Sequence, residues 1–583
     1  MQVLFRMRRA VMGAGAGATA CLGVALLAAA FVAAPAVAQV ALPSRQALDP
    51  ANAAPIAAAP RGDLFKGVEA GPCAFRDSPI KVTLKAVTFQ GATSGALAVS
   101  DQALASTYAE FIGREAPLSV VCDIRDRAAA LYLRRGVLAS VVIPEQRIAE
   151  GRLTLTVVEA RIAAVTYHGD VGPAQKQVVR FLEHLRGMAP FDLDVAQRYL
   201  LLASDVPGAR IQSVLKPSPI GQGALDLDIT IARDAVDGSV VAQNYGSKTV
   251  GRDLTLARLD LNGFTSLGER TSILGYGTLS SDEQRVIQVA ERFYLGGDGL
   301  VTDLSGSWGW TKPGDTLKPL ELEGESFAGS VRLTYPLMRH RRHNLNIGVG
   351  LDWIDQKVEF GGGAAVLTDD QLRVFFLRLD GHYAPASLAA HSVAMTGMFE
   401  VRQGIHNLGA SRYGDPRASR FLAKPDATVT RAEGEIGGRL AGPVIGKLAV
   451  AWQHTDDPLL SYEEYGVGNL TIGRGYDPSV ASGDRALSAT FELSTTPLSL
   501  PLSLSGGGRA AWRPYAFYDT AELTNLGVGA GKLDLASAGI GVRAQVTSRV
   551  AVDLTWAKPF DSPFGTGDEP PSRVLISLSA ALF

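Results

Sequence analysis

From about Gly238 to the end of this 583-residue chain, apolar side chains return at every second position. Leu345, Ile347, Val349, Leu351 and Trp353 interleave with Asn344, Asn346, Gly348, Gly350 and Asp352. Val550, Val552, Leu554 and Trp556 interleave with Ala551, Asp553 and Thr555, and Leu448, Val450 and Trp452 with Lys447, Ala449, Ala451 and Gln453. A period of two is a strand signal. The face opposite each apolar face is small and polar, as a wet lumen requires. A soluble sandwich also alternates, but it hides its apolar face in a core. About 345 residues at roughly 20–22 per strand and connection predict about sixteen antiparallel strands. A closed barrel is the one sheet that satisfies every backbone group in lipid. After the N-terminal segment no apolar run reaches ~18 residues, so no spanning helix is expected. The chain ends on Phe583, although the alternation Val574, Ile576, Leu578, Ala580, Leu582 runs one residue out of phase with it.

The N-terminus sets the compartment. Arg6, Arg8 and Arg9 precede an Ala/Leu/Val-rich run that ends at Ala36-Val37-Ala38. This is the layout of a secretory signal peptide, with cleavage expected between Ala38 and Gln39. A retained anchor is the alternative, and Pro35 argues against it. Cys21 precedes most of the apolar stretch, so a lipoprotein site is not expected. Removing residues 1–38 leaves Cys73 and Cys122. A pair in an oxidising compartment reads as a disulfide, with two buried thiols as the alternative.

Residues 39–72 are Ala- and Pro-rich and read as a linker. Two small α+β modules follow, each with its own core. In the first, residues 73–161, Lys81 to Phe89 reads as a strand. Ile124, Ala128 and Leu131 mark a helix face, and Val137 to Ile143 and Leu153 to Val157 return to strand spacing. In the second, residues 162–234, Val178, Leu182 and Leu185 mark one helix and Val195, Tyr199 and Leu200 another, before the alternating run Leu225 to Ile231. The barrel is assigned to residues 235–583.

Chemistry is sparse. A formal charge of −2 offers no basic balance for nucleic acid. No CxxC or HExxH spacing supports a metal site. Gly529-Ala530-Gly531-Lys532 lacks the Ser/Thr of a phosphate loop, because Leu533 follows. His340 and His343 sit in Arg339-His340-Arg341-Arg342-His343, which reads as a basic periplasmic turn. No nucleophile stands in a recognisable setting, so no enzyme and no cofactor is expected.

Several motifs together resemble one family, the outer-membrane transporters of two-partner secretion that export haemolysins and filamentous haemagglutinins. Leu131-Tyr132-Leu133-Arg134-Arg135-Gly136 followed by Val142-Ile143-Pro144-Glu145-Gln146 is similar to the family's first-module signature. Pro190-Phe191-Asp192-Leu193 to Asp205-Val206-Pro207-Gly208 resembles its second POTRA (polypeptide-transport-associated) domain, and Asn244-Tyr245-Gly246 with Gly251-Arg252 its first barrel strand and turn. Cys73 and Cys122 stand where many members carry a pair. Gly473-Arg474-Gly475-Tyr476 resembles the "VRGY" tetrad at the tip of a loop folded back into the lumen, with Gly473 in place of an apolar residue. Phe517-x-Asp519-x-Ala521 is similar to the family's F-x-D-x-G, with Ala521 where Gly is usual.

The resemblance implies a gating latch of Arg474, Gly475, Tyr476, Phe517 and Asp519. An Arg in a narrow polar channel needs a carboxylate partner. A surface-loop Arg474 and an ordinary lumen Asp519 form the alternative. The implied function is a pore that recognises a β-helical exoprotein in the periplasm and exports it without nucleotide hydrolysis. An outer-membrane protein insertion factor and a solute porin are the other readings. The expected location is the outer membrane of a Gram-negative bacterium, in contact with its lipids, with the modules in the periplasm. Members often carry an N-terminal plug helix; Pro43, Pro50, Pro55 and Pro60 interrupt any long helix here, so a short or missing plug is expected.

Overall fold

The computed structural model describes Arg45 and residues 73–91, 98–148, 150–279, 281–501, 509–563 and 570–583. The signal peptide, its Ala38–Gln39 cleavage site and all of the linker except Arg45 lie outside these residues.

The first module contains β1 (Lys81–Thr83), β2 (Ala86–Gln90), α1 (Asp101–Ala105), β3 (Glu115–Pro117), α2 (Val120–Arg134), β4 (Ala139–Val142) and β5 (Arg152–Glu159). A sheet of order β2-β5-β4 carries the core, and β1 pairs with β3 in a separate ribbon. The strand expected over Lys81 to Phe89 is therefore two strands. The break falls at Leu84, which turns into the core at 1% exposure, while the Lys85 amide donates to the Gly151 carbonyl at 2.7 Å. Ile124, Ala128 and Tyr132, spaced by four, form the buried stripe of α2. Cys122 on that helix is disulfide-bonded to Cys73.

The second module follows after Ala160 alone. It comprises β6 (Arg161–Gly169), α3 (Gln175–Leu182), α4 (Leu193–Ser204), β7 (Ala209–Pro217) and β8 (Ala224–Arg233), in a sheet of order β6-β8-β7. Phe181, Leu182, Leu200, Leu227 and Ile229 are fully buried in its core. Asp192 caps α4 by accepting from the Asp194 and Val195 amides at 2.9 and 3.1 Å.

Sixteen antiparallel strands close into a barrel, from Val236–Gln243 to Arg573–Ala581. Arg485–Thr495 and Leu498–Pro501 are two stretches of one strand, since both pair with Arg509–Asn525. The outer face exposes Ile287, Val349, Leu377, Leu448, Leu554 and Ile576, with Trp308, Trp353, Trp452 and Trp556. So large an exposed apolar band marks a lipid-facing surface. It excludes the sandwich, in which those side chains would be covered. No helix among the described residues is long and apolar enough to cross a membrane.

The second module packs against the short turns at one end of the barrel. Arg198 donates to the Pro336 and Asp298 carbonyls at 2.9 and 3.2 Å, and Gln177 to the Gly296 carbonyl at 2.9 Å. The Phe181 ring meets Tyr294 edge-on. The turn at Arg339 to His343 is part of this interface as well, because Arg339 grips Asp205.

Candidate functional site

At the end of the barrel away from the modules, the chain leaves the strand Val444–His454 and returns at Arg485–Thr495. The thirty residues between them fold back into the lumen. Tyr465–Val467 and Ala481–Gly483 pair as a small hairpin, and its tip carries Gly473-Arg474-Gly475-Tyr476.

The tip residues reach one wall. Phe517 and Asp519 are two apart on the strand Arg509–Asn525 and face the same way, into the lumen. Register places Thr490 opposite Asp519 and Glu492 opposite Phe517. The Arg474 guanidinium donates to both Asp519 oxygens, Nε to Oδ2 at 3.1 Å and Nη2 to Oδ1 at 2.8 Å. Its backbone amide also donates to Oδ2 at 2.9 Å, and its guanidinium carbon lies 3.6 Å from the Phe517 ring centroid. Such a fork on a carboxylate at 1% exposure is a charge-assisted, geometrically demanding contact.

The structure adds Glu492, which accepts from Arg474 Nη1 at 2.8 Å and from Arg543 Nη1 at 2.6 Å. Arg543 continues to Asp553 at 3.1 Å. Arg543 is thus joined to the Arg474 contacts through Glu492. The sequence signal for Glu492 was only its lumen phase, between the outward Phe491 and Leu493.

Tyr476 donates from its hydroxyl to the Ala536 carbonyl at 2.8 Å, and the Gly475 amide donates to Ser537 Oγ at 3.2 Å. A Cβ on Gly475 would lie 2.7 Å from Ser537 Cβ and 3.0 Å from Pro559 N, so only glycine lets the tip seat. Gly473 has φ +117°, which accounts for glycine in place of the apolar residue of the tetrad. Ala521 is buried among Tyr465, Val467 and Leu523.

A second set of contacts holds the loop from another wall, and the sequence did not single it out. Glu463 receives Arg402 Nη2 at 2.8 Å and Arg431 Nη2 at 2.7 Å. Nearby, Arg420 from the segment 405–427 donates to Asp484 at 2.5 Å and pairs with Glu464 at 2.7 Å.

Beside the loop lies a cavity of ≈ 850 Å³ lined by Arg378, Asp352, Glu433, Met398, Tyr462 and other mostly polar residues. Arg45, helical in backbone, also lines it. The N-terminal segment therefore reaches the lumen at this residue; whether a long plug helix surrounds it concerns residues outside the described set. Among the described residues no three His, Cys, Asp or Glu gather as a metal site.

The chain matches the family described as haemolysin secretion/activation protein ShlB/FhaC/HecB over residues 223–544, and the POTRA domain, ShlB-type, over residues 82–160. No curated protein matches it in sequence. Among solved structures it is similar to CdiB from Escherichia coli, at 18% identity and a TM-score of 0.66, covering 88% of this chain and 93% of that one. It is also similar to CdiB from Acinetobacter baumannii, at 14% identity and a TM-score of 0.60, covering 88% and 91%. The barrel, the POTRA modules ahead of it and a family match over more than half of its length place this chain in the haemolysin secretion/activation family, the outer-membrane transporters of two-partner secretion.

Proposed function

We propose that this transporter captures an unfolded exoprotein at its periplasmic modules and passes it through the barrel lumen without nucleotide hydrolysis. Outer-membrane protein translocation is the activity of its family. The observation that carries the finer reading is the loop tip seated on Asp519 inside a polar lumen. A loop so held narrows the channel, and its displacement opens a path wide enough for an extended chain.

The modules support capture. Sheet order leaves β6 and β7 at the edges of one sheet and β2 and β4 at the edges of the other. An extended segment can add to such an edge through main-chain hydrogen bonds, with specificity from alternate side chains. Folding of the cargo outside then opposes its return, which supplies direction. The cargo chemistry that fits is a β-rich polypeptide, exported in extended form.

The test expresses the chain with a β-helical exoprotein encoded beside it, in cells lacking other two-partner transporters. Appearance of the exoprotein in the medium only when the chain is present supports the reading. Loss of other barrel proteins on depletion would replace it with an insertion factor, and solute-selective conductance with no export would replace it with a porin.

A further inference from the structure

Among the ties of the inward loop, which include Arg420 to Glu464 and Arg573 to Asp477, two lie on different walls and have opposite polarity. At the tip the loop supplies the cation, Arg474, and the wall supplies Asp519 and Glu492. Nearer its start the loop supplies the anion, Glu463, and the wall supplies Arg402 on the strand Ala394–Gly404 and Arg431 on Thr428–Ala441. Arg402 bonds Glu463 through two nitrogens, at 2.8 and 3.1 Å. The three side chains are 4–6% exposed. Gln453 on the next strand donates to the Glu463 carbonyl at 3.0 Å and accepts from Arg431 at 2.8 Å. The loop is therefore a crossbar, tied to the lumen near its start and at its tip.

The two ties differ in what their loss leaves behind. Without Glu463, Arg402 keeps Asp352 at 2.8 Å and Glu400 at 3.3 Å, and Arg431 keeps Glu400 at 3.7 Å. Arg378 also reaches Glu400 and has Asp380 beside it, so three cations then face three carboxylates and the wall stays neutral. Without Arg474, Glu492 and Asp553 share Arg543, and Asp519, 1% exposed, keeps the Thr490 hydroxyl at 2.8 Å but loses its ion pair. An uncompensated buried charge is the expensive outcome, whereas a carboxylate withdrawn into water is solvated. The end that can let go is the Glu463 end.

We propose that Glu463 is a positioning residue for passage through this barrel, and that the crossbar opens by releasing Glu463 from Arg402 and Arg431 while the Arg474 tip stays seated as a pivot. This rests on the reading that the inward loop governs passage, but its test needs no cargo, so the two can fail separately.

The experiment compares full-length wild type, Glu463→Gln and Glu435→Gln, purified in detergent. Glu435 lines the same cavity but pairs with Lys447, so its variant removes the same charge without touching the loop. In planar bilayers, Glu463→Gln is expected to raise the open fraction of the channel about tenfold or more, the scale set by one charged hydrogen bond. Glu435→Gln is expected to behave as wild type. Hydrogen exchange should then show lost protection at the Glu463 amide, which donates to the Leu460 carbonyl, and retained protection at Arg474 and Gly475. Equal conductance of the two variants, or equal loss of protection at both ends of the loop, overturns the proposal. Should Glu463→Gln fail to give a heat-modifiable barrel, Arg431→Gln, which leaves Glu463 a single arginine, is read by the same two criteria.

Discussion

Arg339, the last residue of a barrel strand, holds Asp205 of the second POTRA module through two parallel hydrogen bonds, Nε to Oδ2 at 2.6 Å and Nη2 to Oδ1 at 2.8 Å. The Asp205 carbonyl in turn accepts from the Tyr294 hydroxyl at 2.9 Å. A fork on a carboxylate fixes orientation as well as distance. The module is thereby held in one pose under the barrel. Asp205→Asn should weaken the docking by about 2–5 kcal/mol, the usual cost of truncating one partner of a largely buried charge pair. Faster hydrogen exchange in the turns at 296–299 and 340–342, with unchanged exchange in the module core, is the expected result.

The tip seat predicts a separable phenotype. Arg474→Ala removes three side-chain hydrogen bonds to Asp519 and Glu492 but none of the strand pairing. Export of the partner should fall sharply while a heat-modifiable barrel persists in the outer membrane. Undiminished export would remove Arg474 from the mechanism.

Glycine at 475 is a second handle on the same seat. Gly475→Ala places a methyl against Ser537 and Pro559, and forced overpacking of this kind typically costs about 1–3 kcal/mol. Channel recordings should show more frequent opening than in wild type.

The barrel seam has its own device. The first and last strands share five residue pairs, from Ser577–Gln243 to Ala581–Ser239. Beyond them the Asn244 side chain continues the ladder, donating to the Val574 carbonyl at 2.9 Å and accepting from the Ile576 amide at 2.8 Å. Asn244→Ala should lower the temperature at which the barrel unfolds on a heat-modifiability gel, reflecting about 1–3 kcal/mol if both bonds are left unmade.

The Cys73–Cys122 bond closes a span of 49 residues in the first module. On the chain-entropy account such a loop contributes about 4 kcal/mol. Reduction should speed amide exchange in α2 and leave the barrel strands unaffected.

Much of the fold was legible because a strand's period is short and local. Leu345 to Trp353 and Val550 to Trp556 declare their two faces within a few residues, and the lipid needs nothing more specific than that. Arg474 and Asp519 were found through resemblance, since nothing in their 45-residue separation links them. Arg402, Arg431 and Glu463 escaped because lumen-facing charges recur on many strands, and only the path of the loop decides which of them meet. Arg339 was read as part of a plain basic turn for the same reason: its partner Asp205 lies 134 residues earlier. The strand over Lys81 to Phe89 was misjudged because Leu84 fits the strand pattern, yet its burial in the core breaks that strand in two.

In the proposed mechanism the partner polypeptide crosses through this lumen. Met398 lines the cavity, and its neighbour Phe399 is exposed on the opposite, lipid-facing side of the same strand. A photo-crosslinking residue at each position, with an exoprotein stalled in export, reads the path directly. Cross-links to the exoprotein from position 398 and none from position 399 are predicted; export that proceeds with cross-links from 399 alone, or from neither, would contradict the account.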